Sequence, residues 1–132
     1  MLKLVRILNR STNVPDLERV PKSMFSKNVY KGAAVEKTED GWDSSVYYPQ
    51  YITANTPKEE DKYVYCYKVT PDMVFLTECE CYDTCEVGGT VGLINTNGFS
   101  DAVDVNEEGS ARIVELIPNS RYIYIKFDLR RE

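Results

Sequence analysis

The sequence predicts an all-β protein, a small barrel or sandwich of about six to eight short antiparallel strands, with an extended N-terminal arm. Three observations carry this reading. From residue 62 onward, apolar and polar residues alternate with a period of two in segments rich in Val, Ile, Tyr and Phe. Turn signals separate those segments at the spacing of about 8 to 12 residues expected of a sandwich or small barrel. The 132 residues make one ordinary domain, with 42% hydrophobic residues and ten tyrosines to build its core.

The elements follow in chain order. The segment "STNVPDLERVPKSMFSKN" (11 to 28) carries Pro15 and Pro21 and no sustained periodicity, so residues 1 to 28 are expected to form an extended basic arm and residues 29 to 132 a single β domain. "VYKGAAVEKTEDGWD" (29 to 43) predicts a hairpin turning at Glu39-Asp40-Gly41. "SVYYPQYITA" (45 to 54) reads as an edge strand, because Pro49 cannot donate to a ladder. "NTPKEEDK" (55 to 62) reads as a solvated loop.

"KYVYCYKV" (62 to 69) places Tyr63, Tyr65, Tyr67 and Val69 on one face, and Val64, Cys66 and Lys68 on the other. Pro71 presets a turn before "MVFLTECE" (73 to 80). "GGTVGLIN" (88 to 95) leads through "TNG", a hairpin signal, into "FSDAVDV" (99 to 105). "NEEG" then precedes "ARIVELI" (111 to 117), and "PNSR" precedes "YIYIKFDL" (122 to 129).

Charge is divided along the chain. Residues 1 to 35 hold seven basic and two acidic side chains, net +5, whereas residues 36 to 132 hold nine basic and nineteen acidic, net −10. A basic head on an acidic body suits contact with an acidic surface or with neighbours in an assembly, or packing of the head on its own domain. Nucleic acid is disfavoured, since the basic residues are scattered and the body repels phosphate. The only apolar stretch near the N-terminus is cut by Lys3 and Arg6, unlike a secretory signal, and no apolar run approaches the ~20 residues that span a bilayer. A soluble intracellular product is expected, in which Asn9-Arg10-Ser11 matches the glycosylation sequon by accident.

The motifs weigh against catalysis. Zero histidines removes the Ser-His-Asp and Cys-His arrangements. "GGTVG" lacks the lysine of a phosphate loop and opens onto a strand, and Glu59, Glu60 and Asp61 sit in a polar loop. No enzyme activity and no cofactor are expected. Cys79, Cys81 and Cys85 are spaced C-x-C-x3-C with Cys66 far away, whereas tetrahedral zinc sites use C-x2-C knuckles. Thiols on a strand and its turn are the expectation, with a four-cysteine metal site as the alternative; disulfides are disfavoured in an intracellular protein, though pairing in a mature particle outside the cell stays open. "DVNEEGSARIVE" (104 to 115) approaches the calcium-loop pattern, but its flanks are β-patterned where that motif needs helices. Gly109 is instead expected to accept positive φ in a hairpin bulge.

A family resemblance rests on five stretches in order: "VYKGAAVEKTEDG", "YPQYITA", "YVYCYKVTPDMVFLTE", "GGTVGLINTNGFSDAVDV" and "ARIVELI…YIYIKFD". Within them, Tyr30 to Gly32, Pro49 to Ile52, Val69 to Phe75, Gly88 to Gly98 and Tyr122 to Phe127 resemble small auxiliary or head-decoration capsid proteins of tailed bacteriophages. The resemblance spans about residues 29 to 128 and does not extend to the arm or to the Cys79 to Cys85 stretch. It implies a non-enzymatic virion component, made in the host cytoplasm, that docks on the major capsid protein and neighbouring capsid components and stabilises the shell, with homo-oligomerisation compatible.

On that reading Leu4 and Ile7 are the apolar anchors, with Leu2 and Leu8 beside them, and Arg6, Arg10, Arg19 and Lys22 steer the contact. The same apolar residues also suit a first strand in the domain's own core. A second reading is a β-barrel module that binds a ligand or peptide through its Tyr-rich face at Tyr63, Tyr65 and Tyr67.

Overall fold

The structure, a computed structural model, describes every residue except Asn9, Ser11, Asn13 and residues 130–132. The sequon at Asn9 and Ser11 therefore lies outside the described residues. The chain is all-β, and the described residues form eleven strands in one sheet: β1 Lys3–Ile7, β2 Glu18–Pro21, β3 Ala34–Thr38, β4 Gly41–Ser44, β5 Tyr51–Thr53, β6 Tyr63–Lys68, β7 Met73–Glu78, β8 Thr90–Asn95, β9 Ser100–Val105, β10 Ala111–Leu116 and β11 Tyr122–Lys126. Three-residue 3₁₀ turns lie at Lys22–Met24 and Tyr82–Thr84.

The sheet order is β1-β7-β11-β10-β8-β9-β3-β5-β6-β2, with β4 added to β3, and the ladders between these strands are antiparallel. Among the described residues no ladder joins β1 to β2, so the sheet is open and not a closed barrel. Two backbone bonds outside the ladders tie the start of β1 to the far half of the sheet: Leu2 N–H donates to Gly32 C=O at 2.9 Å, and Gly32 N–H donates to Thr53 C=O at 3.0 Å. Gly32 meets both at φ +81°, a left-handed conformation that costs glycine little.

The local hairpins form where turn chemistry specifies them. β3 and β4 pair Thr38 with Gly41 across Glu39-Asp40, and Gly41 takes φ +131°. β8 and β9 pair across the Asn-Gly turn, with Gly98 at φ +102°, and β10 and β11 pair across Pro118 to Arg121.

The division at residue 28 is not the one the chain adopts. β1 pairs Lys3, Leu4, Arg6 and Ile7 with Leu76, Phe75, Val74 and Met73, and β2 pairs Glu18 to Pro21 with Cys66 to Tyr63. Both belong to the sheet because their apolar side chains are needed by its cores: Leu2 and Ile7 are buried in one, Val20 and Phe25 in the other. Pro21 is tolerated because it ends an edge strand, where a missing N–H breaks no ladder. The segment 45 to 54 differs too. Its strand is only Tyr51–Thr53, it lies between β3 and β6, and Pro49 sits just outside it.

Two cores occupy opposite faces of the sheet where β3, β5 and β6 run. Ala34, Ile52 and Tyr67 face the larger one, with Phe75, Val91, Val103, Ile113, Ile123, Ile125 and Phe127. Ala33, Val35, Val64 and Cys66 face the smaller one, with Val20, Phe25, Trp42 and Phe99. Each fully buried Val, Ile or Phe contributes about 1.5–3 kcal/mol relative to exposure, so both faces of this half of the sheet are stabilised by burial. Ring contacts order them: Phe75 packs edge-on to Phe127 with centroids 5.5 Å apart, and Trp42 edge-on to Tyr51 at 4.9 Å.

Gly109 does not take positive φ. It is needed for close approach, since a Cβ there would stand 2.1 Å from the Val91 carbonyl oxygen.

Candidate functional site

The structure distributes the six sequence-proposed partner residues. Leu4 is half-buried on β1 and lines an open apolar groove of about 240 Å³ with Leu2, Val14, Pro15, Leu17, Ala54 and Tyr67, while Lys3 and Lys31 add positive charge. Ile7 is buried in the larger core, so it anchors β1 and is not available to a partner. Its position follows from strand geometry: a register shift between Leu4 and Arg6 accommodates Val5 and leaves Arg6 exposed and Ile7 inward.

Arg6 lines a different depression, beside Val74, Glu115 and Tyr124. Arg10 is exposed. Arg19 stacks its guanidinium 4.4 Å from the centroid of the Tyr63 ring. Lys22 donates from Nζ to the carbonyls of Lys58 and Glu59, both at 3.0 Å, at the edge of a shallow cleft of about 720 Å³. In that cleft Lys27 is held over the Phe99 ring at 4.7 Å and lies 3.7 Å from Asp43. The two cleft lysines are thus engaged by their own chain.

The apolar surface that sequence reasoning missed lies between the first two strands. Val14 is 69% exposed and Leu17 55%, and both border the groove that Leu4 lines. Their signal was present as apolar residues beside Pro15, but without periodicity they read as part of an extended arm. The tyrosines of β6 divide. Tyr67 is buried and lines the groove, whereas Tyr63 and Tyr65 are 37% and 41% exposed on the same face of the strand. A surface of aromatic, aliphatic and lysine side chains suits contact with protein, in which apolar groups supply burial and charges set register.

The thiols occupy separate environments. Cys66 is buried in the smaller core, where burial, and then the nearby charge of Glu18, push its pKa up to about 12. Cys79 and Cys85 lie in the larger core with their sulfurs 3.0 Å apart. Burial, and then the hydrogen bond with Cys85, push the Cys79 thiol up to about 12. Cys81 is exposed, with its pKa raised by a hydrogen bond to Asp104. The four cysteines are therefore not gathered around one point, and among the described residues no group of three or more His, Cys, Asp or Glu side chains is arranged to hold a metal ion.

The calcium-like stretch has local partners instead. The Asp104 carboxylate accepts from the amides of Cys81 and Val105, and the Asn106 side chain accepts from the amide of Glu108. Among the described residues no helix is long and apolar enough to cross a membrane.

Comparison with known proteins gives no relative: no family model, no curated protein and no solved structure matches this chain.

Proposed function

We propose that this protein is a non-enzymatic structural component of a phage virion, an auxiliary or decoration protein that docks on the capsid shell and stabilises it. The observation that carries the docking part is the exposed apolar groove at Leu4, Val14, Leu17 and Tyr67, edged by Lys3 and Lys31 on an otherwise acidic chain. The sequence resemblance over residues 29 to 128 supplies the partner, the major capsid protein and its neighbours. A single groove of this size binds weakly, but a shell repeats its sites, and many modest contacts add up across a lattice. The basic residues near the groove steer approach to an acidic partner surface.

The test is the heat stability of shells of the cognate phage that lack the protein, measured with and without it added back. Disruption at a higher temperature in its presence supports the proposal, and an unchanged disruption temperature at saturating protein contradicts it.

The exposed Tyr63 and Tyr65, with Arg19 stacked on Tyr63, favour one second reading, a module that binds a ligand or peptide on this face. Tyr65→Ser separates the two: loss of small-ligand or peptide binding with shell stabilisation retained favours the module.

A further inference from the structure

The sulfurs of Cys79 and Cys85 stand 3.0 Å apart, as close as the backbone hydrogen bonds around them although sulfur is the larger atom. Both ends of this pair are held. Cys79 follows β7, donates its amide to the Arg121 carbonyl at 2.8 Å and forms an isolated bridge with Val103. Cys85 closes the 3₁₀ turn Tyr82–Thr84, donating its amide to the Tyr82 carbonyl at 3.0 Å. Thr84 fastens the same turn from both its amide and its hydroxyl to the Cys81 carbonyl, and the Tyr82 hydroxyl donates to the Ile117 carbonyl at 2.6 Å. The third thiol, Cys81, lies between them in sequence but points to solvent.

We propose that Cys79 and Cys85 are a redox pair that closes to a disulfide by exchange with a small-molecule disulfide, leaving Cys66 and Cys81 outside the bond. Bonded sulfurs stand at about 2.05 Å, so closure needs a movement of about 1 Å, which the short turn supplies without breaking a ladder. Cys85 is the less enclosed of the two and takes the first step. Its thiolate attacks one sulfur of R–S–S–R, forming a mixed disulfide and releasing R–S⁻. Cys79, having lost its proton to solvent, then attacks the Cys85 sulfur and expels the second R–S⁻. Both leaving groups take up protons, so the two protein thiols are oxidised and one small disulfide is reduced to two thiols. A depression lined by Cys81, Tyr82, Thr84 and Arg121 brings solvent to the turn. Burial of Cys79 makes the exchange slow in the folded chain and makes the closed bond resistant to reduction.

The test is equilibration of the full-length protein in glutathione buffers of graded oxidised-to-reduced ratio, followed by alkylation and peptide mapping. The expected result is one intramolecular linkage, Cys79 to Cys85, with Cys66 alkylated after denaturation, Cys81 outside that linkage, and an oxidised form that melts at a higher temperature than the reduced one. Cys81→Ser keeps the linkage. Linkage through Cys81, or Cys79 and Cys85 both still alkylated at the most oxidising ratio, overturns the proposal. Because the mapping is done on the unaltered chain, it does not depend on a cysteine variant folding.

Discussion

The phenol of Tyr30 donates a 2.7 Å hydrogen bond to Oδ2 of Asp101, joining the loop before β3 to β9 over 71 residues of chain. Asp101 is 3% exposed, and its other oxygen accepts from the Thr96 hydroxyl. Burial, and then the Asp101 contact, raise the Tyr30 pKa well above the ordinary phenol value, so the donor stays protonated. The pair fixes the β8–β9 hairpin against the smaller core, where the Tyr30 ring also packs edge-on to Phe99 at 5.8 Å.

Tyr30→Phe keeps that ring contact and leaves Asp101 one donor short. The expected loss is about 1–3 kcal/mol in urea unfolding, because a buried carboxylate with a missing partner bears its desolvation cost. Combining it with Asp101→Asn should give less than the sum of the single losses.

Two glycines separate steric need from backbone strain. Gly109→Ala puts a methyl 2.1 Å from the Val91 carbonyl and must force β8 and the start of β10 apart, with an expected loss of about 3 kcal/mol or more. Gly88→Ala meets no atom within 4 Å and bears only its φ of +86°, costing about 1–2 kcal/mol. Thermal unfolding of both variants checks the order.

Alkaline pH should destabilise the fold through its buried thiols. Burial pushes the folded Cys66 thiol up to about 12 and raises Cys79, in contact with Cys85, above the ordinary range, against about 8.5 for an unfolded thiol. The Cys66 contribution is therefore complete below about pH 8.5 and lost as pH rises toward 12, by up to about 1.4 kcal/mol per pH unit, and Cys79 acts in the same direction. Urea midpoints at pH 8 and pH 10 should show the fall, and Cys66→Ala should shrink the difference between them.

Val14→Ser and Leu17→Ser remove exposed apolar groups, so stability should change by less than about 0.5 kcal/mol each. Equal melting temperatures for the double variant and the unaltered chain qualify it as a probe of docking alone.

What the sequence disclosed and what it hid follow from the range of the interactions. The turns at Glu39-Asp40-Gly41 and at Asn97-Gly98 are local chemistry, and the hairpins they make were legible. β1 was legible only as one of two readings of Leu2, Leu4, Ile7 and Leu8, the first strand in the domain's own core, and β2 was hidden because Pro15 and Pro21 flank or end it; their partners lie in β7 and β6, far along the chain. Among the site residues, Leu4 was legible as apolar and N-terminal. That Ile7 turns inward depends on a register shift that no spacing rule reveals. The approach of Cys79 to Cys85 depends on a 3₁₀ turn, and the strand-and-turn pattern showed only that a turn lay between them.

Deleting residues 1 to 28 would remove β1 and β2 with the buried Leu2, Ile7, Val20 and Phe25, and so would test folding before docking. The direct measurement is co-sedimentation of the intact protein, and of the Val14→Ser/Leu17→Ser double variant, with capsid shells of the cognate phage across a salt series. The intact chain should pellet with shells, releasing progressively as screening rises, and the double variant should pellet at least about tenfold less at equal concentration, the equivalent of ~1.4 kcal/mol. Failure of the intact chain to pellet at low salt, or equal pelleting of both proteins, would contradict docking through the groove.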